Sequence, residues 1–393
     1  MPLPRLPRVP KLLKRRPRPG SGDFSWDYED YVPGNALTLY VRGKDLFPAM
    51  AAAINEAAHS VHLEVYTFGS DRTGRSFAEL LAAKARAGAR VRVIYDSIGS
   101  IDMDPKLETL MRNAGVQILE YHPVAPWRPR SAWNRRDHRK ILVCDGRVGF
   151  VGGINLTDEN APAAAGGGDW RDAHVRVVGP AARDLDVLFR DVWSAQTGRW
   201  FESAGDGAPH GPARVKIAAN QEAMKRFVIR EAYVNALSAA REEVSIANAY
   251  FIPGWRIRRS LAQAARRGVS VRVMVPGRSD SDAVRCAMRA RYDSLLSRGV
   301  RIFEWQGPML HAKAVVVDRL WASVGTFNLD RRSLLHNLEV NVNVLDRAFA
   351  AELAEKFELG LKGSREVLLA DWRRRPWIER VRERFWLSFD YLF

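Results

Sequence analysis

The chain has 393 residues, enough for two domains of ordinary size, each able to bury its own core. Its 61 Lys+Arg against 45 Asp+Glu give a net charge of +16, which favours polyanionic partners, either nucleic acid or an anionic membrane surface. Only two cysteines are present, Cys144 and Cys286, which excludes a disulfide framework and a cysteine metal cluster and fits a reducing compartment.

The opening stretch "MPLPRLPRVPKLLKRRPRPGSG" is basic and Pro-rich, with no acidic residue and no apolar h-region. It is therefore not a secretory signal, and its proline density predicts a mobile basic arm over 1–22. No apolar run reaches the roughly 18–20 residues needed to cross a bilayer.

From about residue 37 the pattern becomes alternating helix and strand. "FAELLAAKARAG" (77–88) carries apolar residues at helical spacing with a capping glycine, and the β-branched "AGARVRVIYD" (87–96) follows. "AGVQILEY" (114–121) repeats that strand pattern. Next comes "HPVAPWRPRSAWNRRD", which holds Trp127, Arg128, Arg130, Trp133, Arg135 and Arg136. Its alternating aromatics and arginines suit either a phosphate headgroup at a membrane surface or a solvated loop.

The stretch "HRKILVCD" (138–145) then leads to a glycine turn, "GGIN" (152–155), with Asp172 further on in "DWRDAHVRVVG". Cys144 sits inside this apolar run and reads as a buried structural thiol. The Gly/Ala/Pro-containing segment over 201–215 reads as a linker.

Beyond it the whole arrangement recurs. "RRSLAQAARRG" (258–268), "RGVSVRVMVP" (267–276) and "RGVRIFEW" (298–305) match the upstream elements, "HAKAVVVD" (311–318) and "GTFN" (325–328) match the motif, and Glu339 takes the place of Asp172. His to Asn spans 17 positions in both copies. The copies differ in that Glu120 to His138 spans 18 positions and Glu304 to His311 only 7, an insertion of 11 residues in the first. The predicted architecture is α/β, in two similar units over 37–200 and 216–360.

The tail over 371–393 is basic and aromatic. Trp377, Val381, Phe385 and Phe389 recur every four residues, so a helix aligns them in one stripe. Such a helix suits an anionic interface or packs against the two units; its pattern does not separate these.

The duplicated motif carries the chemistry. Alternation along a strand places His138 with Lys140, and His311 with Lys313, on one face. Asp145 and Asp318 have the opposite parity, which makes them organisers of the fold. Asn155 and Asn328 follow glycine turns that let backbone approach a ligand. Two histidines, two lysines and two asparagines in pseudo-twofold array suit the non-bridging oxygens of a phosphodiester. One histidine can attack while the other protonates the leaving oxygen and later deprotonates the acceptor. Neither copy has a carboxylate cluster spaced for Mg²⁺ or Zn²⁺, and the lysines supply positive charge, so no metal and no cofactor is expected. Asp172 and Glu339 can hold the imidazole tautomer of a nearby histidine, or be ordinary strand-edge carboxylates.

The paired His-x-Lys-x4-Asp motifs followed by Gly-[Gly/Thr]-x-Asn resemble the phospholipase D superfamily. "NRRDHRKILVCDGRVGFVGGINLTDEN", "NAYFIPG", "GRSDSD" and "GTFNLDRRSLLHNLEVNV" are similar to its bacterial cardiolipin synthase branch, over about residues 37–360. The resemblance implies two phospholipase D-like α/β domains related by a pseudo-twofold axis, with the active site at their interface. It implies a metal-free phosphohistidine mechanism with His138 as nucleophile and His311 as general acid/base, although the near-symmetry leaves the reverse assignment open. By the same resemblance the two motif triads, His138, Lys140 and Asp145 and His311, Lys313 and Asp318, are catalytic, and Asn155, Asn328 and Thr326 match phosphate-binding positions, with Gly153 opposite Thr326. The implied reaction moves a phosphatidyl group from phosphatidylglycerol to a second phospholipid. Hydrolysis to phosphatidic acid is an alternative, and nuclease action is disfavoured by the family features and the aromatic tail. Many bacterial members have paired N-terminal transmembrane helices. The short basic arm here resembles the shorter, peripheral members and implies attachment at the cytoplasmic face of the inner membrane.

Overall fold

A computed structural model describes residues 17–24, 27–124, 134–220 and 227–392. Two sets of seven strands mirror each other across a central junction, where Val32–Tyr40 pairs antiparallel with Ala213–Asn220. Outward from it, the first half runs His174–Val178, Val148–Gly152, Ile141–Cys144, Ser60–Val65, Arg90–Asp96 and Gln117–Tyr121. The second runs Glu339–Leu345, Trp321–Gly325, Lys313–Val317, Glu243–Asn248, Ser270–Pro276 and Arg301–Trp305, and Ser364–Val367 closes its edge. In each half the three outer strands of the matched set are parallel, and the inner ones antiparallel. The pseudo-twofold relation therefore extends through the whole strand order.

The outer parallel strands need crossovers, and the amphipathic helices Arg72–Arg86 and Trp255–Arg266 supply them. Asp71 caps the first by accepting from the Gly74 N–H. Gly88 and Gly268 end them in left-handed conformation, at φ +98° and +88°, as the sequence predicts. Each half has a core of its own, but a further core is shared. Val151, Val175 and Val177 pack there with Val324, Val340 and Val342, so the inner strands of the two halves face each other. Cys144 is buried in the first core, as expected of a structural thiol.

The element boundaries differ from those expected. The first unit opens with a strand at Val32, the last residues of the 201–215 segment already belong to strand Ala213–Asn220, and the second unit extends to Val367. Most of the N-terminal arm lies outside the described residues. Its end is tied down, because the Gly20 and Gly22 N–H groups donate to the Ser238 and Ala239 carbonyls.

Candidate active site

Both motif histidines sit just ahead of the strands they introduce, which begin at Ile141 and Lys313. Each is fixed instead by a short bridge to the opposite half. His138 N–H donates to the Leu338 carbonyl at 3.1 Å, and Leu338 N–H to Arg136 at 2.9 Å. In the other copy His311 N–H donates to Arg171 at 2.7 Å, and Arg171 N–H to Met309 at 2.9 Å.

These bridges exchange the carboxylates. Glu339 follows Leu338, and its carboxylate lies 3.0 Å from Nδ1 of His138. Asp172 follows Arg171 and lies 2.9 Å from Nδ1 of His311. The carboxylate that orients each imidazole thus comes from the other copy of the repeat. The reason is topological: Glu339 opens strand Glu339–Leu345 and Asp172 just precedes strand His174–Val178, the two strands that flank the central pair.

Engaging Nδ1 leaves Nε2 of each ring for chemistry. Burial lowers the His138 imidazole well below its usual range, and Lys140, Lys313, His311 and Arg332 push it further down. Burial also lowers His311, helped by Lys313, but there the hydrogen bond and charge of Asp172 pull the other way. Burial and mutual repulsion bring Lys140 down to about 7, and burial brings Lys313 down to about 8. The Lys313 ammonium lies 2.9 Å from Nε2 of His311, and Lys140 donates to the His138 carbonyl at 2.7 Å. Both histidines and both lysines thus act on one another electrostatically within a single site. Among the described residues no three His, Cys, Asp or Glu side chains gather as a metal site.

Of the other expected residues, Asp145 accepts from the N–H groups of Ala58, His59 and Ser60, and Asp318 from those of Arg241, Glu242 and Glu243. Both tie a strand start to the hairpin that follows the motif and point away from the histidines. Asn155 accepts from the Thr67 N–H at 3.3 Å, and the buried Asn328 has an amide oxygen without a hydrogen-bond partner.

Thr326 departs from the phosphate-binding expectation. Its hydroxyl is fully buried, donates to Glu339 and accepts from the Val340 N–H at 3.0 Å. It holds the acid that holds His138. Gly153, its counterpart, answers the same demand by having no side chain, since a Cβ there would come within 2.2 Å of the Asp172 carboxylate.

Some site residues escaped the sequence reading. Tyr66 packs edge-on against His138 with ring centroids 5.0 Å apart, and the Lys140 ammonium lies 5.0 Å from the same tyrosine ring. Tyr250 takes the equivalent place beside His311 at 6.4 Å, its hydroxyl donating to Asp280 at 2.5 Å. The signal was there in "VYTF" and "AYFI", which occupy matching places in the repeat. Arg136 is not a headgroup or solvent-facing arginine. It is fully buried, donates to Ser97 at 2.9 Å and pairs with Asp96. Trp127, Arg128, Arg130 and Trp133 of the same insertion lie outside the described residues.

Comparison with known proteins agrees with this architecture. The family model described as "Cardiolipin synthase, PLD-like domain" matches residues 50–165 and again 233–359, one match per half. A cardiolipin synthase of Alkalihalophilus pseudofirmus is 33% identical over 346 residues, covering 87% of this chain and 69% of that protein. One from Geobacillus kaustophilus is 33% identical over 386 residues, covering 97% of this chain and 76% of that one. Among solved structures, the phosphatidylserine synthase of Haemophilus influenzae matches with a TM-score of 0.70 at 11% identity, over 92% of this chain and 97% of that one, a likeness of fold. With a duplicated motif, a site built between the halves and these relatives, the chain belongs to the cardiolipin synthase family of phospholipase D-like proteins.

Proposed function

We propose that this protein is a phosphatidyltransferase that makes cardiolipin from phosphatidylglycerol. The observation that carries this reading is the reciprocal pairing of His138 with Glu339 and His311 with Asp172. It orients two imidazoles through Nδ1 beside two buried lysines, and this supports a reading in which one phosphodiester is held between them.

In the first step Nε2 of neutral His138 attacks phosphorus, the bond to the glycerol oxygen breaks, and His311 gives that oxygen its proton. Glycerol leaves and the phosphatidyl group stays on His138. In the second step His311 takes the proton of a hydroxyl on a second phosphatidylglycerol. That oxygen attacks phosphorus, the P–N bond breaks, and His138 is restored. Lys140, Lys313, Asn155 and Asn328 bind the non-bridging oxygens. The substrate anion between the lysines offsets the repulsion that depresses His311 and so favours its acid form.

The family relation and the aromatic, basic tail support an anionic membrane surface as partner over nucleic acid. The same family relation and tail are the basis for placing it at the cytoplasmic face of the inner membrane; among the described residues no helix is long and apolar enough to cross a membrane.

The test offers purified protein phosphatidylglycerol vesicles and, separately, single-stranded DNA, with products resolved by mass. Diphosphatidyl product with release of glycerol is expected. Phosphatidic acid alone would make the protein a hydrolase, and DNA cleavage without lipid turnover a nuclease.

A further inference from the structure

The helix Trp377–Leu387 is seated the wrong way round for a helix in water. Amphipathic surface helices bury the apolar stripe and expose the charged one. Here the buried residue is an acid: Glu383 is 4% exposed, accepts from Arg289 at 3.1 Å and takes two bonds from Arg375. Arg375 and Arg289 in turn stack on the ring of buried Trp372 at 3.2 and 4.7 Å. Trp386 and Leu387 complete this docked side against the second-half core.

The opposite side is apolar and bare. Trp377 is 72% exposed, Ile378 58%, Val381 51% and Phe385 57%. At about 100° per residue these four fall in one sector, roughly opposite that of Glu379, Glu383, Trp386 and Leu387. The same spacing puts Arg380 and Arg384 along one margin of the stripe and Arg382 along the other, and all three are exposed. Beside the helix, a cavity of about 290 Å³ is lined by Arg289, Arg373, Arg375, Arg380 and Arg384 with Asp293 and Glu383 among them.

We propose that this face docks on an anionic phospholipid bilayer, with the apolar stripe in the interface and the marginal arginines on lipid phosphates. Charge decides the occupant. A second copy of the chain would bring the same arginines against these, whereas an anionic bilayer supplies phosphates on both sides of the stripe. The docked polar side fixes the orientation in which the body is held. After the helix, Asp390 pairs with Arg331 at 3.6 Å and the Leu392 carbonyl accepts from Arg332 at 3.4 Å. Arg332 is also one of the charges that act on His138, so the tail that follows the helix ends on the element beside that histidine.

This deepens the lipid reading, and binding can be measured without turnover. Full-length protein is sedimented with vesicles of phosphatidylglycerol mixed with phosphatidylcholine, and with phosphatidylcholine alone. Wild type is expected to partition at least about tenfold more strongly onto the anionic vesicles. W377S/V381S/F385S, which changes only exposed positions, is expected to lose about tenfold or more of that binding. Its turnover of a short-chain phosphatidylglycerol kept monomeric in solution should match wild type. Unchanged vesicle binding in the variant overturns the proposal. So does binding that survives while a wild-type dimer becomes a monomer in sedimentation velocity, which would assign the stripe to a second copy. A parallel fall in short-chain turnover overturns it as well, by making the stripe part of the fold. Failure of wild type to turn over any lipid would sink the enzymatic reading and leave the binding result standing.

Discussion

The two halves present the same backbone to the same space and differ in how they hold an acid against an imidazole. On one side a long acid, Glu339, reaches His138 and is itself held by the Thr326 hydroxyl. On the other a short acid, Asp172, reaches His311, and Gly153 makes room for it. Thr with Glu and Gly with Asp are two solutions to one steric problem, and each solution is completed by residues of one half acting on the histidine of the other. Neither half therefore contains both a motif histidine and the acid bonded to it. Burial pushes both imidazoles toward the neutral form, and at His311 the bond to Asp172 opposes that shift.

The sharpest way to break this comparison is to remove one histidine at a time and change the leaving group. His138→Ala is expected to abolish lipid turnover, by a factor on the order of 10⁶, whatever the leaving group. His311→Ala is expected to lose about 10²–10⁴ with phosphatidylglycerol and, with phosphatidyl-p-nitrophenol, to recover much of the first-turnover burst of p-nitrophenol, which departs without a proton, while the second step stays slow. Recovery in the His138 variant instead would reverse the two roles. The exchange of carboxylates is tested next with Glu339→Gln and Asp172→Asn, each expected to cost about 10²–10⁴. The p-nitrophenyl substrate should rescue the Asp172 variant and not the Glu339 variant. If each acid served the histidine of its own copy, that pattern would invert.

Gly153→Ala asks whether the short-acid solution depends on the missing side chain. The added Cβ would displace Asp172 from His311, and a displacement of about an ångström is expected to cost about 10²-fold in turnover. The pH profile is gentler. Protonated lysines attract the phosphodiester, and Lys140 and Lys313 are lowered to about 7 and about 8. Hence kcat/KM is expected to fall as pH rises through that range, by about tenfold per unit between the two values and about a hundredfold per unit above both. The bound anion raises both lysines, so the alkaline limb of kcat should lie at higher pH than that of kcat/KM. Coincident limbs would remove the lysines from phosphate binding.

These effects sort what the sequence could and could not reveal. The repeat, the helices ended by Gly88 and Gly268, and the motif residues were legible because each depends on local spacing or on self-similarity. The partner of each histidine was not, since it depends on which strands meet at the centre of a sheet assembled from both halves. Arg136 read as a surface arginine because its buried partner, Asp96, lies in a different strand. The tail showed an apolar stripe, but spacing carries no information on which side of a helix is fastened down. That is set by Glu383, an acid that looked like one more surface charge until Arg289 and Arg375 closed on it.

The smallest effect tests the role of Thr326, where resemblance suggested phosphate contact and the structure gives a hydroxyl bound to Glu339. Burial raises the Glu339 carboxyl to about 7, and the Thr326 bond is the largest of the influences that restrain it. Thr326→Ala removes that restraint, so the carboxyl should rise further and the ionised form that orients His138 should appear only at higher pH. The acid limb of kcat is expected to move upward, with a loss of about tenfold at pH 7, the worth of one hydrogen bond to a charged group. Thr326→Ser should restore both. A residue that gripped the substrate phosphate would instead raise KM and leave the acid limb of kcat where it was. The two roles therefore separate in a single pH series, and the outcome says whether the long-acid solution depends on its hydroxyl as the short-acid solution depends on its glycine.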